Sequence, residues 1–179
     1  MVYSQVRAGE ISQSARSITS RDLEWLYHVN HGVPIYRLGE APIVPNVEKD
    51  WAGGRLRLML QCIYTIAFLC LLRFDEVLKI QAHHLEVIDE GKGEIKLMLP
   101  FRKTHKHGGT SWIYISPNNV IEIKPLHLFH NIKDRHLDPT HTILCWIHHS
   151  RIKEGYIFRR ISADDRIIAE NKPLVWPRY

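Results

Sequence analysis

The chain has no uninterrupted apolar run of ~20 residues, the length a membrane-spanning helix needs. Its best candidate, Leu58 to Leu72, contains Gln61 and is bracketed by Arg57 and Arg73, which reads as a buried helix. Residues 1–13 are polar and lack the apolar segment of a secretory signal, so none is expected there. Cysteine is scarce: Cys62, Cys70 and Cys145 are the three in 179 residues. Two of them fall in the apolar helix, where a thiol behaves as a small hydrophobe. That pattern excludes a disulfide scaffold and suits a reducing compartment. Glycine pairs occur at Gly53-Gly54 and Gly108-Gly109 without the spacing of a nucleotide-binding loop, and neither CxxC nor HExxH is found.

What is present is the composition of a folded protein, 45% hydrophobic and 24% charged. The formal charge is +5, the isoelectric point is about 9.2, and twelve histidines can add positive charge on mild acidification. A polyanionic partner fits this balance, although a basic protein without such a partner has the same composition. The histidine pairs His83-His84 and His148-His149, with His127 and His130, invite a metal reading. Adjacent histidines seldom point at one ion and no cysteine pair accompanies them, so no metal and no cofactor are expected.

Along the chain, residues 1–17 lack periodicity and read as a disordered leader. Thr19 to Asp22 has the hydroxyl-then-acid spacing of a helix start, and Leu23, Leu26 and Tyr27 then share a face up to about Asn30. Prolines 34, 42 and 45 break up the loop before the dominant helix, predicted over Arg55 to Leu72. A short turn or helix with Val77, Leu78 and Ile80 follows and ends at His83-His84. Leu85 to Ile88 and the alternating Ile95, Leu97 and Leu99 predict a hairpin, and Trp112 to Ile115 a third strand. Asp138-Pro139 places a cap acceptor before a first-turn proline; Ile143, Leu144, Ile147 and Ile152 are expected to face inward, with Gly155 as the stop. Tyr156 to Phe158 form a brief extended piece. Trp112, Tyr114, Trp146, Tyr156 and Phe158 alternate with aliphatic residues and are expected in the core. The expected class is mainly α (α+β) with a small three-stranded antiparallel sheet, one incomplete domain over residues 18–179.

Two segments carry chemistry. Cys70 to Ile80 embeds Arg73 and Glu76 at the end of an apolar helix, and a guanidinium with five fixed donors suits a phosphate or carboxylate. Some thirty residues on, Leu99 to Gly109 is a basic turn with Arg102, Lys103, His105, Lys106 and His107 between strand-like runs. Taken singly, Arg73 with Glu76 is an ordinary surface ion pair, and the turn is a solvated loop.

In order and spacing the two together resemble the first half of a tyrosine recombinase (phage-integrase-type) catalytic domain, in its fungal Crypton-like mobile-element branch. Leu72-Arg73-Phe74-Asp75-Glu76-Val77-Leu78 is similar to that family's arginine-x-x-glutamate box, and Leu99 to Thr104 to the hairpin bearing its lysine. Trp146-Ile147 and Ser150 to Arg159 resemble the helix and extended piece that follow, and the likeness spans roughly Thr19 to Pro173. The resemblance implies DNA recombination and integration in the nucleus, by tyrosine attack on a DNA phosphate without metal or nucleotide. Arg73 would be a donor to the phosphoryl oxygens, Glu76 would orient it, and Lys103, or alternatively Lys106, would protonate the leaving oxygen. Arg102, His105, Lys106 and His107 would contact DNA, with room for a homo-oligomer on it.

The family's His-x-x-Arg box and nucleophilic tyrosine are not matched. His148-His149-Ser150-Arg151 satisfies the string but precedes the element that should come before the box, and Tyr179 is terminal. The expectation is a truncated, catalytically inactive DNA-binding fragment. The alternative is a domesticated, noncatalytic DNA-binding or protein-interaction module.

Overall fold

The longest helix begins where it does because of a residue far along the chain. The computed structural model describes residues 18–30, 52–89, 92–99, 113–115, 121–123 and 125–174. In it, α1 is Ser20–Asn30 and α2 is Gly54–Leu69. Gly53, at the cap position of α2, has no side chain to accept from the first turn. Asp165 takes that role from outside: its Oδ2 accepts from Arg55 N at 2.8 Å and its Oδ1 from Leu56 N at 3.0 Å. Two of the four unpaired amides of the helix start are thereby satisfied. Gly53 has φ −70°, which any residue adopts, so glycine is needed there for space. A Cβ would fall 2.2 Å from Asp165 Cγ.

α2 ends earlier than its apolar run predicts. The Leu71 amide donates to Phe68 O and the Leu72 amide to Ala67 O, with Leu71 at φ 51°. This is a Schellman termination, in which a left-handed residue just past the helix turns the chain and leaves the next side chain to pack against the last turn. Leu72 is buried accordingly. Arg73 therefore lies beyond the helix and is exposed, not embedded in it; the buried guanidinium belongs to Arg57, 2% exposed. Arg57 Nε donates to Ala52 O at 2.9 Å and Nη1 to Val29 O at 3.3 Å. With Gln61 and Thr65 it forms a buried polar stripe at four-residue spacing. Gln61 accepts from Asn30 at 3.4 Å and donates to Thr65 Oγ1 at 3.3 Å, stitching α2 to the end of α1.

The remaining elements hang on this helix. α3, Phe74–Val77, leads through a 3-10 turn at Ala82–His84 into β1, Leu85–Asp89, which pairs antiparallel with β2, Glu94–Leu97. Two further strands, β3 at Ile113–Ile115 and β4 at Ile121–Ile123, pair with each other. The third strand of the main sheet is β5, Leu126–Leu128, on the other side of β2. A three-stranded antiparallel sheet is present, but its third strand is not the predicted 112–115 segment. Three residues with a single apolar alternation are too short to register as a strand in sequence. The inward face of β2 places Ile95 and Leu97 in the core, while Lys96 points the other way.

Asp138 caps α4, Pro139–Ser150, accepting from His141 N at 2.8 Å, with Pro139 in the first turn as expected. Ile143 and Trp146 are buried, Ile152 nearly so, and Leu144 and Ile147 pack at the core's margin. The stop is Arg151, at φ 56°, with its amide on Ile147 O; Gly155, at φ 69°, turns the chain later. Tyr156 bridges Gln81, and the Ile157 amide donates to Ile80 O at 3.1 Å. Trp146 Nε1 closes the core by donating to Ile157 O at 2.9 Å, its ring stacked with Phe158. Among the described residues the protein is a mixed helix-and-strand fold with four α-helices, a small three-stranded antiparallel sheet and a separate two-stranded pair, and a core shared by helices and the main sheet. Among the described residues no helix is long and apolar enough to cross a membrane.

Candidate nucleic-acid interface

Arg73 occupies the corner between the Schellman turn and α3. Its backbone is extended, at φ −72° and ψ 151°, and its carbonyl accepts the Glu76 and Val77 amides at 3.0 and 3.1 Å. Glu76 is buried, and its Oε2 accepts from Arg73 N at 2.9 Å. This is the reaching-back half of a capping box; a guanidinium cannot accept, so Arg73 does not supply the other half. Glu76 thus holds the main chain of Arg73 and makes no ion pair with its guanidinium. The expected orienting contact is made through the backbone. The surface ion pair of this turn is Asp75 with Lys79, at 3.5 Å and solvated on both sides, worth under ~1 kcal/mol. The Arg73 guanidinium has no hydrogen-bond or ionic partner among the described residues.

Below this corner the chain is buried and hydrogen-bonded to neighbouring segments. Val77, Leu78 and Ile80 are buried, and Ile80 and Gln81 are tied to the Tyr156–Ile157 segment. The Gln81 amide donates to His84 Nδ1 at 3.1 Å, and the His84 carbonyl accepts from Met98 N at 2.8 Å, linking the turn to the end of β2. Burial, with His83 edge-on at 4.2 Å, pushes the His84 imidazole down to about 4. It is therefore neutral at pH 7, as an accepting Nδ1 requires. The exposed arginine stands on a corner braced by a buried carboxylate and a neutral buried histidine.

The other expected site residues, Arg102, Lys103, His105, Lys106 and His107, lie outside the described residues. The His148 to Arg151 string is placed at the C-terminal end of α4. There His149 is lowered by desolvation, by His148 and by Arg55 of the α2 start. Arg73 lies past the opposite end of α2, a helix of 16 residues, hence roughly 24 Å long. The string and Arg73 do not converge.

A second polar cluster surrounds the start of α4. The Asp138 carboxylate, fully buried, accepts from His130 Nδ1 at 3.0 Å, and His141 Nε2 lies 3.5 Å from Cys145 Sγ. His130 sits against Gly93, at φ 63°, where a Cβ would meet its ring at 1.6 Å. Burial raises the Cys145 thiol and, further, that of Cys62, the opposite of nucleophilic activation. Among the described residues no group of three or more His, Cys, Asp or Glu could hold a metal ion.

The sequence reading did not anticipate the Asp165 cap, the left-handed Leu71 or the buried Arg57. Only the last had a signal, the four-residue spacing of Arg57, Gln61 and Thr65 in an apolar helix. Comparison of the chain with models of known protein families and with curated proteins finds no match in either.

Proposed function

We propose that this protein binds the DNA backbone through the Arg73 corner, as the arginine-and-lysine half of a tyrosine-recombinase-type strand-transfer site, acting in the nucleus and inactive in cleavage by itself. The observation that carries the reading is an exposed guanidinium without an ionic partner among the described residues, on a corner whose main chain is pinned by buried Glu76. The pinned main chain fixes where the side chain departs from the fold, and its planar fork matches phosphate oxygens. The order of the arginine-x-x-glutamate box and the basic 102–107 turn, and the charge of +5, support the same reading. Lys103 is assigned the leaving-group proton, with Lys106 as its alternative, and Arg102, His105 and His107 the flanking backbone.

The test is fluorescence anisotropy of duplex DNA with the 179-residue chain across a salt series. Affinity should fall steeply with salt, because each phosphate contact releases condensed counterions. Arg73→Ala should reduce the logarithmic salt slope by about one. Binding that ignores salt, or a slope unmoved by Arg73→Ala, contradicts the assignment.

A further inference from the structure

Two residues before Arg73 the chain does something costly. Leu71 has φ 51°, a conformation that favours glycine, and its side chain is 86% exposed. The left-handed turn itself closes α2 and lets Leu72 pack, but a glycine would make the same turn without strain, and the leucine side chain, exposed as it is, adds no packing inside the fold. The exposure is not that of a loose loop, because the Schellman bonds from Leu71 and Leu72 to Phe68 and Ala67 hold the turn. A strained residue that presents an exposed apolar side chain is a place to look for contact with something outside the molecule. Leu72 is buried between them, so Leu71 and Arg73 are exposed side by side at this corner, with Leu69 at 38% just before them and Asp75, paired with Lys79, just after.

We infer that Leu71 is an apolar contact residue for duplex DNA, packing on the deoxyribose next to the phosphate that Arg73 engages. The inference rests on the DNA-binding reading of that corner and adds to it the second half of the contact. The occupant follows from the neighbour: a guanidinium two residues away suits a polyanion, and duplex DNA sets apolar sugar faces between its phosphates. A rigid leucine would add affinity by losing water from its exposed surface and would release no counterions.

The experiment measures DNA affinity across salt for the full chain carrying Leu71→Gly, Leu71→Ala or Leu71→Met. Leu71→Gly relieves the strained backbone, so it should melt at or above the wild-type temperature, and lost binding cannot be ascribed to unfolding. Leu71→Gly and Leu71→Ala should bind about five- to tenfold more weakly at every salt concentration, with unchanged slope, and Leu71→Met should bind as wild type. Wild-type affinity in Leu71→Gly and Leu71→Ala overturns the inference while leaving the DNA reading in place. So does a loss of affinity accompanied by a loss of slope, which would mean that Arg73 had been displaced. Sedimentation showing a wild-type dimer that Leu71→Gly dissociates would instead assign the leucine to a second copy of the chain. Wild type without salt-dependent binding removes the DNA reading, and this inference with it.

Discussion

Removing the Asp165 carboxylate should unfasten the start of the central helix from the other end of the chain. Its two oxygens accept from the Arg55 and Leu56 amides at 2.8 and 3.0 Å, 109 or more residues away in sequence. Asp165 is only partly buried, so water can replace some of what is lost. Replacing a capping side chain by alanine costs about 0.5–2 kcal/mol, and the lost carboxylate charge at a helix N-terminus adds about 0.3–1 kcal/mol. Asp165 also sits at φ 59°, which aspartate tolerates better than alanine. Asp165→Ala should therefore cost about 2–3 kcal/mol, and Asp165→Asn about half of that.

The cap also explains Gly53, through a coupling that can be measured. Gly53→Ala drives a methyl to within 2.2 Å of Asp165 Cγ, so it should cost about 2 kcal/mol in the wild-type background. In an Asp165→Gly background the obstacle is gone and the same substitution should be close to neutral, giving a coupling energy of about 2 kcal/mol. Urea unfolding followed by far-UV circular dichroism yields all four stabilities of the cycle. Hydrogen exchange at Arg55 and Leu56 reports the cap directly. An Asp165→Ala variant as stable as wild type, or a Gly53→Ala cost that is equal in both backgrounds, would refute the reasoning.

Acid should weaken the fold through His84. Its folded value of about 4 lies below the ordinary 6.5, so its contribution is complete above pH 6.5 and is lost as the pH falls toward 4, about 1–3 kcal/mol in all once solvent screening is allowed for. His84→Asn, which keeps an acceptor for the Gln81 amide, should flatten most of that loss in urea melts between pH 7.5 and 4; His149, also lowered, acts in the same direction. Trp146→Phe should cost about 1–3 kcal/mol by leaving the buried Ile157 carbonyl without its donor, read as a lower urea midpoint at unchanged slope. Glu76→Ala removes the acceptor that pins the Arg73 amide and should cost about 1 kcal/mol. Glu76→Gln, which retains a carbonyl acceptor, should keep most of the stability; equal loss in both would show that the carboxylate acts by charge instead.

Much of the helical framework was legible in the chain because its signals are local. The Thr19–Asp22 start, the Asp138-Pro139 cap, the apolar α2 and the Leu85–Leu97 hairpin each depend on residues a few positions apart, and each element is present. Arg73 and Glu76 were also visible as a pair, but their division of labour was not. Spacing of three residues allows a side-chain contact, whereas the backbone turn at Leu71 sends the guanidinium outward and the carboxylate inward to the Arg73 amide.

The sequence by itself determined where helices can start, which residues are apolar enough to form a core, and that an arginine follows the dominant apolar helix. Tertiary structure alone decided the rest. It decided that Asp165 caps α2, that β5 completes the sheet in place of residues 112–115, that Arg57 is the buried guanidinium, and that Leu71 is strained and exposed. The reason is physical: hydrophobic periodicity and capping preferences act within one or two turns of chain. Amides left unpaired by one element, and the space left by a glycine, are filled by whichever distant segment the fold brings into reach.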